Sequence, residues 1–257
     1  VSAGQEAEGR TLNVGCFHTF GPILLPDMIR RMTEAEAGLT IELIEGDQRR
    51  VQQAVMAGEA DNAFCAGRPP GHHAERDAAM GFCLFNNVAI AARRARETCG
   101  LERVAVLDFD VHHGNGTQSD FQSDEGLFYG SSHQYPAYPG TGRTQERGCA
   151  DNIANVELAP GSGSAAFRRA WGEDILPRLR RFGPELVIIS AGFDAHVRDP
   201  LAQLNVTTED FAWVTREILS LAAECCAGRV VSVLEGGYDL DALADSVAAH
   251  VGELMNA

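Results

Sequence analysis

The sequence contains no lysine, so every one of its 21 basic residues is arginine, and 36 acidic residues outnumber them. The formal net charge of -15 argues against nucleic acid as a partner, because binding phosphate groups requires a basic surface. A cationic substrate would suit this composition. Acidic cytosolic proteins are common, however, so the charge alone assigns no function.

The sequence also lacks paired cysteines and long apolar runs. Its seven cysteines are scattered and form no C-x-x-C motif, which argues against a disulfide framework or a thiolate zinc site and favours reduced thiols. No apolar run approaches the length of a membrane span, and no signal peptide is recognisable. We therefore expect a cytoplasmic protein that does not contact a membrane.

Strand-like and helix-like segments alternate along the chain. Apolar runs predict strands at 11–17, 39–47, 62–67, 103–109, 127–132, 184–192 and 229–234. Helical periodicity predicts helices at 21–38, 48–61, 86–98, 164–181, 208–226 and 240–255. Apolar strands separated by helices are typical of an α/β fold in which a mostly parallel sheet carries helices on both faces. In such folds the ligand lies at the carboxyl ends of the strands.

Polar side chains crowd the end of one predicted strand, in the segment AVLDFDVHHGNGTQ at 105–118. Asp108, Asp110 and His112 recur at every second residue, a spacing that places them on one face of a strand. A second apolar strand, LVIISAGFDAH, ends in Asp194. Asp110, His112 and Asp194 could hold one metal ion and leave a position open for water, as catalytic zinc sites do. Placing so much charge at a strand end is costly without a metal.

Two further motifs follow predicted strands. His72 and His73 come after a Pro-Pro-Gly turn, and histidines in tandem at a strand end suggest general acid–base catalysis. Gly236 and Gly237 in the segment VLEGGYDL let the backbone turn sharply, so that Tyr238 can point its hydroxyl group into a cleft. The tyrosine signal is weak alone, because a tyrosine after glycines more often packs in the core.

These motifs together resemble one enzyme family. From about residue 59 onward, the sequence resembles the zinc-dependent histone deacetylase family, in its class II-like and bacterial form, which shares the arginase-like three-layer αβα fold. The matching pieces are NAFCAGRPPGHHA, MGFCLFNNVAIAA, VAVLDFDVHHGNGTQ, YPAYPGTG, SAGFDAHVRDPL and EGGYD, in the order found in the family.

The resemblance implies a set of metal ligands. Asp110, His112 and Asp194 resemble the three ligands of a single Zn²⁺ ion, with Fe²⁺ as the alternative metal. A structural K⁺ ion would lie near Asp108, Asp110, His112 and Ser131. Arginase-type enzymes with two metal ions need further carboxylates in both metal motifs, and this sequence lacks them. We therefore expect one catalytic metal ion.

The resemblance also implies the catalytic residues. His73 resembles the general base and acid, with Asn115 as its partner, while His72 is its neighbour and tunes the charge. Asp108 resembles the carboxylate that orients His72, and Tyr238 resembles the hydroxyl group that polarises the acetyl carbonyl. The residues implied for the substrate channel are Phe82, Tyr138 and Gly237.

The implied reaction is hydrolysis of an acetylated amine, above all acetyl-lysine in a protein or peptide, to acetate and a free amine. An acetylpolyamine amidohydrolase is the alternative within the family. Two alternatives from other classes stay open: a metal-binding fusion without activity, and a small-molecule effector-binding module. The sequence leaves the oligomeric state open.

The first 60 residues resemble a different family. Residues 10–60 resemble the N-terminal part of the effector-binding domain of LysR-type regulators, on an apolar strand, the segment GPILLP at a helix start, and ELIEGD before the next helix. We therefore predict a chimera. In it, residues 1–58 form a β-α-β-α segment of separate origin, and residues 59–257 form a deacetylase-like catalytic domain without the family's usual N-terminal part. On this hypothesis the strands at 11–17 and 39–45 would join the main sheet.

Overall fold

The computed structural model describes two N-terminal strands, Arg30 and the continuous stretch 62–256. The two strands are β1 (Thr11–Cys16) and β2 (Thr40–Glu45). The predicted helix at 21–38, apart from Arg30, and the predicted helix at 48–61 lie outside the described residues.

Six parallel strands form the main sheet. They are β3 (Asn62–Cys65), β4 (Val104–Asp108), β5 (Leu127–Gln134), β6 (Ile153–Leu158), β7 (Leu186–Ala191) and β8 (Val230–Leu234). Their order across the sheet is β3-β8-β7-β4-β5-β6, and every neighbouring pair is parallel. The predicted α/β fold with a mostly parallel sheet is therefore confirmed.

Six described helices pack beside this sheet. They are α1 (Asn87–Cys99), α2 (Asn115–Phe121), α3 (Ser164–Arg169), α4 (Leu176–Phe182), α5 (Thr208–Cys226) and α6 (Leu240–Met255). A π-helical turn, Ala170–Ile175, joins α3 to α4, so the predicted helix at 164–181 is one segment with a wider turn inside it.

Side-chain caps begin the longer helices. The Asn86 side chain accepts a hydrogen bond from the Ala89 amide at the start of α1, and Asp239 accepts one from Ala242 at the start of α6. At the start of α5, Thr207 and Asp210 form a reciprocal capping box. Such caps satisfy amides that have no partner within the helix, which explains why these helices begin close to their predicted positions.

The sheet is covered on both faces, as the continuous apolar strands predict. Val104 and Val106 of β4 lie in a buried cluster with apolar side chains of α1. Ala105 and Leu107 lie in a second cluster, which includes Trp171 and apolar side chains of α5 and α6. Alternate residues of one strand thus face opposite helical layers. Because all six strands are parallel, the polar residues that follow them collect at one edge of the sheet.

The two N-terminal strands form a sheet of their own. β1 pairs in parallel with β2, from Thr11 opposite Thr40 to Cys16 opposite Glu45. Part of β1 lies within 8 Å of β3, between Cα atoms, but within the described residues neither strand is hydrogen-bonded to the main sheet. The structure therefore differs from the expectation that these strands extend the main sheet. The separate origin of residues 1–58 stays a prediction.

In the part of the chain that the structure describes, no helix combines the length and the apolar character needed to cross a bilayer.

Candidate active site

Three side chains from two strand ends form a compact cluster. Asp110 and His112 follow β4, and Asp194 follows β7. Each offers one ligand atom, and these atoms lie within 4.8 Å of one another. His112 Nδ1 lies 3.1 Å from Asp110 Oδ1 and 3.1 Å from Asp194 Oδ2. The three predicted metal ligands therefore face one small volume.

Backbone amides orient the two carboxylates of this cluster. The Gly236 amide donates to Asp110 Oδ2 at 2.8 Å, and the Val111 amide donates to Asp194 Oδ1 at 2.9 Å. A side chain at position 236 would collide with the carboxylate of Asp194, and one at position 192 with that of Asp110. Glycine at these two positions lets the backbone approach both carboxylates, while their other oxygens face His112.

The donor chemistry of this cluster fits a divalent cation. Both carboxylates are almost fully buried, and burial together with the neighbouring Asp110 raises the pKa of Asp194 to about 6. Burial disfavours a charged His112, but Asp110 and Asp194 outweigh this effect and raise its pKa to about 11. Two buried carboxylates demand a compensating positive charge. One imidazole and two carboxylates suit Zn²⁺ and Fe²⁺ alike, so the cluster is a candidate metal site that does not distinguish between the two metals.

His72 is paired with a carboxylate beneath the pocket. Its Nδ1 lies 2.9 Å from Asp108 Oδ2, an oxygen that also accepts a hydrogen bond from the Tyr129 hydroxyl group at 2.9 Å. Burial opposes protonation of His72, but the negative charges of Asp108 and Asp110 prevail and raise its pKa to about 10. His72 therefore carries a positive charge at neutral pH.

His73 is paired with an amide instead. Its Nδ1 lies 2.9 Å from Asn115 Oδ1. Burial lowers the pKa of His73 to about 3, and the positive charge of His72 adds to the effect. His73 is therefore a neutral imidazole at neutral pH, and its second ring nitrogen is the one available to the pocket.

Four of these side chains, His72, His73, Asp110 and His112, line a pocket of about 370 Å³. Its lining residues are Pro70, His72, His73, Gly81, Phe82, Asp110, His112, Tyr138, Leu201, Gly236 and Tyr238. Phe82, Tyr138 and Leu201 are 72%, 48% and 50% exposed, which places large apolar and aromatic side chains at the mouth. Gly237, expected in the channel, is not among the lining residues, and its neighbours Gly236 and Tyr238 take that place.

Tyr238 faces the same pocket. Its backbone amide donates to Asp199 Oδ2 at 2.8 Å, and the Arg68 guanidinium group lies 5.6 Å from the centre of its ring. Burial, with the negative charges of Asp194 and Asp110, raises the pKa of Tyr238. Its hydroxyl group therefore stays protonated and is a hydrogen-bond donor.

Glu235 is an active-site neighbour that the sequence motifs did not single out. It is fully buried, and its Oε2 accepts hydrogen bonds from the amides of Gly71 at 2.6 Å and His72 at 3.2 Å. Its Oε1 accepts one from the Ser190 hydroxyl group at 3.0 Å. Burial raises the pKa of Glu235 to about 7. The sequence feature that could have indicated Glu235 is its position as a charged residue directly after the apolar run VVSVL.

His113 of the segment 105–118 and Ser131 of β5 do not line the pocket. His113, which has no predicted role, hydrogen-bonds through Nδ1 with Thr141 at 2.8 Å and through Nε2 with Gln118 at 2.9 Å. Ser131 lies opposite Asp108 in the β4–β5 pairing, and its hydroxyl group is 2.9 Å from His133 Nδ1. The K⁺ ion expected near Ser131 stays a prediction.

The chain matches the family model described as the histone deacetylase domain over residues 29–254. It is 49% identical over 188 residues to "Histone deacetylase 14, chloroplastic" of Arabidopsis thaliana, covering 72% of this chain and 44% of that protein. It is 42% identical over 224 residues to "Polyamine deacetylase HDAC10" of Homo sapiens, covering 83% of this chain and 33% of that protein.

A solved structure agrees with these matches. The crystal structure of the HDA15 HD domain superimposes with a TM-score of 0.75 at 37% identity, covering 81% of this chain and 61% of that chain. This chain spans less than half the length of the two relatives named above. The family match covers most of the chain and includes every motif residue of the pocket, so the chain belongs to the histone deacetylase family.

Proposed function

We propose that the chain hydrolyses an acetylated amine to acetate and a free amine, with a Zn²⁺ ion held by Asp110, His112 and Asp194. One observation carries this proposal: Asp110 and His112 of the metal-type cluster line the same pocket as the neutral imidazole of His73 and the Tyr238 side chain. A Zn²⁺ ion held there would supply Lewis acidity toward a carbonyl group and toward water.

His73 would transfer protons in this reaction. Its low pKa leaves the imidazole neutral and able to accept a proton from the attacking water. Once protonated beside the positively charged His72, it is a strong acid, which favours delivery of that proton to the departing amine. The hydrogen bond to Asn115 keeps the ring in place during both transfers.

Tyr238 would stabilise negative charge on the substrate oxygen. Its raised pKa keeps the hydroxyl proton in place, so the group can donate a hydrogen bond as the carbonyl oxygen becomes an oxyanion. Because a donor fixed in a buried site needs no reorganisation, this hydrogen bond is worth more there than in water.

The pocket mouth favours acetyl-lysine in a peptide over an acetylated polyamine. Phe82, Tyr138 and Leu201 offer apolar surface to the aliphatic stem of a lysine side chain. Among the described residues that line the pocket, Asp110 is the one acidic side chain, and it lies in the metal cluster. The mouth therefore provides no described carboxylate for the second amine of a polyamine. The similarity to the human polyamine deacetylase supports the alternative substrate.

Turnover of matched substrates tests the proposal. We expect the zinc-loaded chain to release acetate from an acetyl-lysine peptide faster than from N-acetylputrescine, and an Asp110→Asn variant to release none. Faster turnover of N-acetylputrescine would reassign the substrate class. Binding of one zinc ion per chain without turnover of either substrate would refute the proposed enzymatic activity and support a metal-binding fusion.

A further inference from the structure

The partner of His73 has a partner of its own. The side-chain nitrogen of Asn115, Nδ2, donates to Glu75 Oε1 at 2.7 Å and to the backbone oxygen of His73 at 3.3 Å. On the other side of the same amide, Asn115 Oδ1 lies 2.9 Å from His73 Nδ1. Glu75 thus connects through Asn115 to the imidazole ring in the pocket.

These contacts decide which way the Asn115 amide faces. An asparagine amide can be rotated so that its oxygen and nitrogen exchange places. In the reversed orientation, the Asn115 oxygen would face the Glu75 carboxylate and the His73 carbonyl, both of which can only accept hydrogen bonds. The observed orientation satisfies all three groups. Of the two groups that accept from the Asn115 nitrogen, the Glu75 carboxylate contributes more to this orientation than the His73 carbonyl. Hydrogen bonds to ionised groups are stronger than hydrogen bonds to neutral groups.

The amide orientation in turn decides where His73 carries its proton. Asn115 Oδ1 has no hydrogen to donate, so His73 must place its single proton on Nδ1. The other ring nitrogen, Nε2, then has a free lone pair for the pocket. A reversed amide would donate to Nδ1 and favour the tautomer whose Nε2 is protonated and cannot act as a base.

We propose that Glu75 is a positioning residue: it orients the Asn115 amide and thereby holds His73 in the tautomer that a general base requires. This role rests on the proposed deacetylase function, because it assigns Glu75 a part in that reaction. Glu75 is exposed and does not line the pocket, so it acts through Asn115 and not on the substrate.

The local backbone holds Glu75 within reach of Asn115. The Glu75 amide donates to the Ala78 carbonyl at 3.0 Å, and the Ala74 amide donates to the Gly71 carbonyl at 3.1 Å, which closes the loop on itself. At the start of α2, a side chain at Gly116 would collide with the Ala74 carbonyl. Glycine there lets the loop that carries Glu75 lie directly against α2.

Three variants test the proposal kinetically on the zinc-loaded chain. We expect Glu75→Ala to lower kcat for an acetyl-lysine peptide about 3- to 10-fold with an unchanged KM, since the chemical step weakens while substrate binding does not. Glu75→Gln should stay within about twofold of wild type, because its side-chain oxygen still accepts from Asn115. Asp77→Asn is the matched control in the same loop, and its kcat should be unchanged. Equal losses in Glu75→Ala and Glu75→Gln would overturn the orientation argument.

The tautomer can be measured without turnover. In protein labelled with ¹⁵N at histidine, with the His73 signals assigned from a His73→Gln variant, wild type should show protonation at Nδ1. Glu75→Ala should shift these signals toward the Nε2-protonated tautomer, and Glu75→Gln should not. Unchanged His73 signals in Glu75→Ala would overturn the proposal. A tautomer shift in a chain without deacetylase activity would refute the proposed function and still support the positioning of His73 by Glu75.

Discussion

The His72 side and the His73 side of the pocket differ in the partner that each imidazole meets. The two rings are 4.0 Å apart between centroids, and both are buried. His72 faces the Asp108 carboxylate and has a pKa of about 10, whereas His73 faces the Asn115 amide and has a pKa of about 3. A carboxylate stabilises the imidazolium form, while the amide and the more distant Asp110 do not outweigh burial and the charge of His72.

Because their pKa values differ in this way, the two histidines cannot exchange roles. His72, whose pKa is raised by the neighbouring carboxylates, provides positive charge beside the metal cluster and makes the conjugate acid of His73 a stronger acid. Of the two histidines, His73 is the one that can accept a proton at neutral pH. Three predictions test this division and a fourth tests the effect of burial alone, in order of decreasing expected effect.

Removing each imidazole separately should give the largest difference. We expect His73→Gln to lower kcat about 10²- to 10⁴-fold, the usual contribution of a positioned acid–base group. His72→Gln should cost less, because it removes a charge and not the proton carrier. Steady-state kinetics with an acetyl-lysine peptide measures both variants. A larger loss in His72→Gln would reverse the assignment.

Removing the carboxylate beneath His72 should erase the contrast between the two sides. In Asp108→Asn, His72 loses the carboxylate that contributes most to its raised pKa, which weakens the positive charge that lowers the pKa of His73. The pKa of His73 should therefore rise, and the acid limb of the kcat/KM profile should move to higher pH, with kcat reduced by roughly 10-fold. A profile with an unmoved acid limb would show that the charge of His72 does not reach His73.

Giving His73 a carboxylate partner should make the two sides alike. Asn115→Asp raises the pKa of His73 and again shifts the acid limb of the kcat/KM profile to higher pH. The new carboxylate would lie against Glu75, which is 2.7 Å from the Asn115 amide nitrogen in the present structure. Combining Asn115→Asp with Glu75→Gln removes this repulsion and is the matched control. An acid limb that stays in place in the double variant would contradict the account.

The pKa of His250 tests the effect of burial where no neighbouring charge contributes, and the expected effect is smaller. His250 is fully buried, hydrogen-bonds with Thr215 at 2.7 Å and Ser232 at 2.8 Å, and burial lowers its pKa from 6.5 to about 3. Below pH 6.5 the unfolded chain binds a proton at His250 that the folded chain does not, so wild type loses stability as the pH falls toward 3.

A His250→Gln variant should lack this loss. The stability advantage of wild type over the variant should therefore shrink on acidification, by on the order of 1–3 kcal/mol. Urea unfolding of both proteins at a series of pH values measures the change. A difference in free energy of unfolding that is independent of pH would show that His250 is not held neutral by burial.

The regular elements could be predicted from the sequence because their patterns are strong. The predicted strand at 103–109 contains the continuous apolar run VAVL at 104–107, and the helices at 208–226 and 240–255 match the observed α5 and α6. The strand β6 was not predicted, since Asn155 and Glu157 interrupt its apolar pattern at the edge of the sheet. The helix α2 was not predicted either, because its first turn contains Gly116 and a glycine precedes it.

The candidate site could be predicted only where a motif carried it. The predicted metal ligands adjoin one another because parallel strands bring their carboxyl ends together. Tyr129, Glu235 and Glu75 were not predicted, because each acts through contacts with residues distant in sequence. Those contacts depend on how the loops pack, which no local pattern encodes.

Zinc titration of the metal-free chain tests the central claim most directly. Acetate release from an acetyl-lysine peptide should be absent without metal and should rise to its maximum at one equivalent of Zn²⁺ per chain. His112→Ala should bind no zinc at that concentration and release no acetate. Full activity in the metal-free chain, or in His112→Ala, would contradict the assignment of Asp110, His112 and Asp194 as the metal site of a deacetylase.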